Sequence, residues 1–261
     1  MNFLIVGDIV GKTGLERLEK ELPKLMNERN IDFCIVNGEN SANGKGLRKQ
    51  EYDKIKSLGV DVITMGNHIY YRKEMASEYI KYKDLLIPAN ITNLNGNNNI
   101  VIEKNKKKIA VINLIGKVEM GENIEKNISD PFKTISNQID EVKKQGVDYI
   151  FLDFHAEATA EKIAMGYYLS GIVTCVFGTH THVQTADEKI LDGGTAYITD
   201  VGMTGPLDSV IGLKKEVALK RFVEGAYAKY ECSSNAACFN GVIVNTDDTT
   251  NKASKIERIN M

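Results

Sequence analysis

The chain has 261 residues, 43% of them hydrophobic, with 33 lysines and arginines against 35 aspartates and glutamates, a formal net charge of −2. That length and apolar content are enough for a substantial core in one domain, residues 1–261, and the charge balance argues against a basic face for long nucleic acid while leaving a small nucleotide open. The apolar stretch Phe3 to Val6 is too short for a signal-peptide core or a membrane span, so a cytoplasmic protein with no membrane partner is expected.

The first element, NFLIV, reads as a buried strand and runs into GDIVGKTG, residues 7–14. Gly-Lys-Thr at the mouth of a helix resembles a phosphate-binding P-loop, but only Asp8, Ile9 and Val10 lie between Gly7 and Gly11. The loop is one residue short of the G-x-x-x-x-G-K-[ST] spacing, and it places a carboxylate where a polyphosphate would lie. Lys12, Thr13 and Gly14 then read as the start of a helix with Leu15, Leu18, Leu22 and Leu25 on one face. A phosphate contact at that helix start is the less favoured alternative.

The pattern of apolar run, polar corner and helix then repeats. DFCIV leads to a helix with Tyr52, Ile55 and Leu58; DVITM leads to a helix around Met75 to Tyr82; LLIPANI closes the series. A hairpin follows, IVIE then KNKKK then IAVINLI, with Lys106 to Lys108 at a solvated turn. A helix with Phe132, Ile135, Ile139 and Val142 leads to YIFLDF, and another leads to IVTCVF. These are strands feeding crossover helices in a largely parallel α/β arrangement. In the tail, TAYIT, YAKYE, CFNGVIVNT and SKIERI read as β segments of a second sheet. Cys34 and Cys175 fall in apolar runs, and with Cys232 and Cys238 they show no C-x-x-C spacing, so they read as small hydrophobic residues rather than ligands or disulfides. Residues 43–46 and 204–212 are glycine-containing turns that could also serve as pocket rims.

The rare polar residues cluster at strand ends. The corners are Val6-Gly-Asp8, Val36-Asn-Gly-Glu39-Asn40, Met65-Gly-Asn67-His68, Asp153-Phe-His155 and Phe177-Gly-Thr-His180-Thr-His182, and they include all four histidines. Sites in open α/β sheets form outside the carboxyl ends of the strands, so these corners should meet. Carboxylate, carboxamide and imidazole without sulfur suit the harder metals, Mn²⁺ or Fe, with Zn²⁺ also compatible. The set exceeds one ion's needs and suits two, about 3.5–4 Å apart, as in two-metal hydrolysis of phosphate esters.

The order GD, GEN, GNH, a single strand-end histidine and GTHTH resembles the calcineurin-like metallophosphoesterases, and GDIVGK, NGEN, GNH and GTHTH together resemble their YmdB-type branch. The motifs span Gly7 to His182. The resemblance implies an α/β/β/α sandwich, two mixed sheets packed face to face and flanked by helices. It also implies phosphodiesterase activity toward 2′,3′-cyclic nucleotides, a small-molecule substrate. Asp8, Glu39, Asn40 and His182 would hold the first metal and Glu39, Asn67, His155 and His180 the second, with His68 as general acid and a metal-bridging hydroxide as the attacking group. Two departures from the general pattern are Val10, where a D-x-H histidine would stand, and Glu39 in place of the bridging aspartate. Asn40 would supply the lost ligand as an oxygen, which makes the first site harder. His180 and His182 can reach different ions only if the backbone between them twists. Rival expectations are a phosphomonoesterase or nucleotidase, and a regulatory nucleotide- or RNA-associated binding protein; the apolar C-terminal β segments leave room for a homo-oligomer contact.

Overall fold

Alternation along the first strand sets the layering. The structure, a computed structural model, describes residues 1–261. In β1 (Asn2–Val6), Leu4 and Val6 face one apolar cluster while Phe3 and Ile5 face another. The same division holds in β3 (Phe33–Asn37), where Cys34 and Val36 point outward and Phe33 and Ile35 inward. A strand buried on both faces reads as a continuous apolar run, which is why NFLIV and FCIV carry almost no polar residues.

The first sheet has the order β15 (Ala253–Asn260), β14 (Asn240–Thr246), β1, β3, β4 (Val62–Thr64), β5 (Leu85–Leu86). Its four strands from β1 to β5 are parallel, and β14 and β15 add antiparallel at one edge. The second sheet has the order β10 (Lys189–Leu191), β11 (Thr195–Ile198), β9 (Cys175–Thr179), β8 (Tyr149–His155), β7 (Lys107–Ile115), β6 (Asn99–Lys104), parallel from β11 to β7 with an antiparallel strand at each edge. The two sheets meet through Phe3, Phe33, Tyr149 and Phe151, with the Phe3 ring centroid 4.5 Å from Phe151 and 5.2 Å from Tyr149.

Helices cover both outer faces. α1 (Gly11–Glu28) and α2 (Lys49–Ser57) bury Leu18, Leu22, Leu25 and Ile55 on the first sheet. α5 (Pro131–Lys143) and α6 (Thr159–Tyr168) bury Ile135, Ile139, Val142 and Met165 on the second. The start of α5 is fixed by Asp130, whose carboxylate accepts from the Phe132 and Lys133 amides, and by Pro131 in its first turn. Short helices α3 (Lys73–Ala76), α4 (Glu122–Glu125) and α7 (Lys215–Phe222) lie in connections. The result is the expected α/β/β/α sandwich. No helix is long and apolar enough to cross a membrane.

Four local expectations change. The tail divides between the sheets: TAYIT supplies β11 of the second, whereas CFNGVIVNT and SKIERI form β14 and β15, which extend the first through the pairing of β14 with β1. The chain around Tyr227 to Glu231 forms no strand, since it leaves α7 through Gly225 and is held by Arg221, whose guanidinium donates twice to the Ala228 carbonyl. The segment Met75 to Tyr82 is α3 followed by a 3₁₀ turn, with the buried Tyr79 hydroxyl donating to the Ile69 carbonyl at 2.8 Å. In the hairpin, only Asn105 and Lys106 form the turn, both with positive φ, and Lys107 and Lys108 already belong to β7. The four cysteines form no disulfide, and Cys34, Cys175 and Cys238 are buried.

Candidate metal centre

Just past Gly7 the chain leaves the first sheet. β2 (Asp8–Ile9) turns away to pair with β12 (Met203–Pro206), which also pairs with β13 (Ala237–Cys238) in a small third sheet. That divergence puts Asp8 at the open end of β1. Glu39 and Asn40 follow β3, Asn67 and His68 follow β4, His155 ends β8, and His180 and His182 follow β9. The structure therefore brings all eight strand-end residues to one place, five from the first sheet and three from the second. Asp8, Glu39, Asn40 and His155 are fully buried.

Close approach of backbone to side chains is visible at Gly66, just before Asn67, where φ is −154° and ψ −141°. A Cβ there would lie 2.3 Å from His155 Nε2 and 2.4 Å from Glu39 Oε2, so no other residue fits. The question of how His180 and His182 diverge is answered by their φ angles, 104° and 66°; both occupy the left-handed region. His180 Nδ1 then lies 3.0 Å from His155 Nε2, while His182 Nε2 lies 2.9 Å from Asn40 Nδ2 and 3.7 Å from Asp8 Oδ1.

Two groups of donor atoms share Glu39. Its Oε1 lies 3.2 Å from His155 Nε2, and Asn67 Oδ1 lies 2.9 Å from the same nitrogen. On the other side Oε1 lies 3.4 Å from Asn40 Nδ2, which donates to Asp8 Oδ1 at 3.2 Å. Each of the three histidines has its remote nitrogen occupied. His155 Nδ1 is 2.8 Å from Thr179 Oγ1, which itself donates to Asp153 Oδ1 at 2.7 Å. His180 Nε2 is 3.1 Å from Glu157 Oε2, and His182 Nδ1 is 2.8 Å from the Ile211 carbonyl. If each remote nitrogen carries the hydrogen, the lone pairs of His155 Nε2, His180 Nδ1 and His182 Nε2 all face the carboxylates. That is the arrangement by which outer partners orient metal-binding imidazoles.

The carboxamide of Asn40 tests the fit of a cation. Its Nδ2 sits among three acceptors, Asp8, Glu39 and His182, while its Oδ1 is buried with no hydrogen-bond partner. A buried carbonyl oxygen without a partner is costly. Turning the amide by half a turn relieves it only if a cation joins the four oxygen and nitrogen donors that then converge. The residues present therefore fit metal ions. Glu39, His155 and His180 also bring donor atoms within 4.8 Å of one another.

Electrostatics agree with a site built for positive charge. Burial pushes the Asp8 carboxyl up to about 8, against the favourable charge of His155. Burial disfavours the His155 cation, yet the neighbouring Glu39 carboxylate pushes it up to about 9. Burial would raise Glu39, but the charges and hydrogen bonds of His155 and His68 hold it well below the usual carboxylate range. Burial and the His155 charge bring His180 down to about 2, and burial lowers His182.

His68 stands beside the cluster, half-buried, with its amide donating to Glu39 Oε2 at 3.0 Å, its Nδ1 3.1 Å from Glu39 Oε1 and its ring edge-on to Tyr71. A cavity of about 390 Å³ opens over these groups and is walled on the far side by Val210, Ile211, Leu213, Phe222 and Tyr230. Residues 204–212 thus divide: Thr204 belongs to β12, while Val210 and Ile211 line the cavity. Lys45 of the 43–46 loop lines it too. Lys12 does not; it is exposed and paired with Glu16 at 3.6 Å, at the plain start of α1. Glu157 was not singled out from the sequence. Its signal is the spacing His155-Ala-Glu157 at a strand end, which any surface glutamate could share.

The family model for YmdB-like protein matches residues 4–259. The chain belongs to the YmdB-like family. Among YmdB-like relatives, it is 43% identical over 260 residues to a 2′,3′-cyclic-nucleotide 2′-phosphodiesterase of Bacillus subtilis, covering 99% of this chain and 96% of that one. A solved structure described as a novel phosphatase from Mycoplasma pneumoniae superposes with a TM-score of 0.93 at 39% identity, covering 100% of this chain and 93% of that one. The YmdB-like sandwich also matches the 5′-nucleotidase of Candida albicans with a TM-score of 0.61 at 13% identity, over 99% of this chain and 50% of that one; this likeness concerns the fold alone.

Proposed function

We propose that this chain is a single-domain, two-metal phosphodiesterase that hydrolyses 2′,3′-cyclic nucleotides in the cytoplasm. The observation that carries the reading is the convergence of three imidazole nitrogens on the Asp8 and Glu39 carboxylates, the other nitrogen of each ring being held by its own outer partner. The activity of the Bacillus relative supplies the substrate class.

Asp8, Glu39, Asn40 and His182 would hold one ion, and Glu39, Asn67, His155 and His180 the other. This thiolate-free set favours Mn²⁺ or Fe. When bound, such ions supply Lewis-acid charge to the phosphoryl oxygens and to the attacking water. The chain's own contribution to the proton balance is His68. With Nδ1 donating to Glu39 Oε1, its Nε2 is the nitrogen left to carry a proton to the leaving group. The attacking water gives one proton to solvent and attacks as hydroxide: a bond forms between its oxygen and phosphorus, the bond from phosphorus to one ribose oxygen breaks, that oxygen takes the proton from His68, and His68 regains a proton from solvent. Val210, Ile211 and Leu213 give the cavity an apolar wall.

The test is metal analysis of the purified protein, followed by assays with Mn²⁺ or Fe²⁺ on cyclic nucleotide, linear diester and monoester substrates. The expected result is bound metal and cyclic-nucleotide hydrolysis that Asp8→Asn abolishes. No cleavage of any ester above the Asp8→Asn background would sink the enzyme reading, and preference for monoesters would make it a phosphomonoesterase.

A further inference from the structure

Lys45 is a cation in the candidate active-site cavity that no carboxylate accounts for. Its Nζ makes one hydrogen bond, to Tyr71 Oη at 3.1 Å, and lies 4.7 Å from the Tyr71 ring centroid and 5.1 Å from that of Tyr230. It takes part in no ion pair, whereas Lys49, Lys54 and Lys56 a few residues along are each paired. An ammonium offers three donors, so two are left without a protein acceptor beside Glu39, Asn40, Asn67 and His68, which line the same cavity.

The loop that presents Lys45 is rigidly built. Residues 43, 44 and 46 all have positive φ, and the Ala42 amide donates to the Gly46 carbonyl at 2.9 Å. Arg72 clamps the loop from outside, its Nε donating to the Lys45 carbonyl at 3.1 Å and its Nη2 to the Ala42 carbonyl at 2.5 Å. A Cβ at position 44 would meet Tyr230 at 2.6 Å, and one at position 46 would meet Arg72 at 2.6 Å. An ordinary solvent-facing lysine needs no such wedge. Tyr71, which receives the ammonium, also stacks edge-on against His68, at 5.1 Å between ring centroids.

We propose that Lys45 is the phosphate anchor of the site: its ammonium, steered by the Tyr71 and Tyr230 rings, binds a non-bridging oxygen of the substrate's phosphoryl group. This rests on the phosphodiesterase reading for its substrate, and it adds a binding residue that the metal cluster does not contain. The role suits lysine chemistry. A compact point charge on a flexible stem can follow an oxygen whose negative charge grows as water adds to phosphorus and the ester bond lengthens.

Lys45→Met and Lys45→Arg in the full metal-loaded chain test it, with kcat and KM for a 2′,3′-cyclic nucleotide and the Kd of inorganic phosphate by calorimetry. Lys45→Met is expected to weaken phosphate binding and lower kcat/KM by ~10- to 100-fold, the range for losing one hydrogen bond to a charged group, with metal content unchanged. Lys45→Arg should restore a large part of both. Phosphate affinity and kcat/KM within twofold of wild type in Lys45→Met would overturn the proposal, as would loss of metal in both variants, which would make the loop a support for the cluster. A wild-type chain that cleaves no ester would count against the preceding reading alone, because phosphate binding still decides the role of Lys45.

Discussion

The Lys162 ammonium lies 2.7 Å from the Asp200 carboxylate, and neither side chain reaches solvent. The same Asp200 oxygen accepts the Thr181 amide at 3.0 Å, and the other oxygen accepts the Gly202 amide at 2.8 Å. Thr181 stands between the two left-handed histidines, so this ion pair, from α6 and the end of β11, is the clamp that sets their divergence. Removing one partner of a buried pair strands a charge, which costs about 3–5 kcal/mol. Lys162→Met should therefore lower stability by that order in urea denaturation and reduce bound metal as well. The double variant Lys162→Met/Asp200→Asn should be less destabilised than the sum of the singles; additive effects would show that the two do not act as a unit.

Much of this architecture was legible because it is local. The continuous apolar runs NFLIV and FCIV and the helical spacing of Phe132, Ile135, Ile139 and Val142 depend on neighbours in sequence, and the elements form where those patterns place them. The strand-end rule was enough to gather Asp8, Glu39, Asn40, Asn67, His68, His155, His180 and His182, because parallel strands all end on one side. What was not legible is long-range. β14 joins β1 from the opposite end of the chain, and nothing in CFNGVIVNT says which sheet it will extend. Positive φ at His180 and His182 goes with contacts from far along the chain, the Asp200 carboxylate accepting the Thr181 amide and the Asp8 carboxylate accepting the His180 amide at 3.2 Å, which no local pattern announces. Glu157 escaped for the same reason: its meaning lies in a contact with His180 across a strand end.

His68 separates catalysis from metal binding. Its imidazole touches Glu39 but is not needed to complete either donor group, so His68→Ala should keep its metals and lose activity. Loss of a general acid typically costs ~10²–10⁴-fold in rate, most with esters whose leaving oxygen is most basic. Parallel metal analysis and kcat measurement across esters of graded leaving-group pKa checks this. Loss of metal in the variant would instead make His68 a ligand.

Glu157 should matter through His180. A carboxylate on Nε2 fixes the tautomer that leaves Nδ1 free to face His155, and outer partners of this kind are worth ~10–100-fold in metal affinity. Glu157→Ala is expected to weaken one class of bound ion by that amount, and Glu157→Gln, which keeps an acceptor oxygen without the charge, by less. Titration of the chelator-treated protein with Mn²⁺ reads this out. Equal affinity in wild type and Glu157→Ala would mean that the half-exposed carboxylate does not orient the ring.

The buried acids also fix how stability depends on pH. In the chelator-treated chain the Asp8 carboxyl is pushed up to about 8 and His155 up to about 9, while in the unfolded chain they titrate near their ordinary values of 3.8 and 6.5. Between pH 7 and 9 the folded state thus holds protons that the unfolded state has already lost, and His180, brought down to about 2, is neutral in both. With fewer protons on the unfolded side, the linkage slope is negative, so stability falls as pH rises, by up to about 1.4 kcal/mol per pH unit for each group. Binding of a divalent ion selects the opposite forms, an ionised Asp8 and a neutral His155, so metal affinity should rise over the same range with release of protons. Urea denaturation at fixed ionic strength, with and without Mn²⁺, should show the stabilisation by metal widening from pH 7 to 8.5. A constant gap would mean that Asp8 and His155 do not exchange their protons for the ion, and would remove the electrostatic case for this cluster as a metal centre.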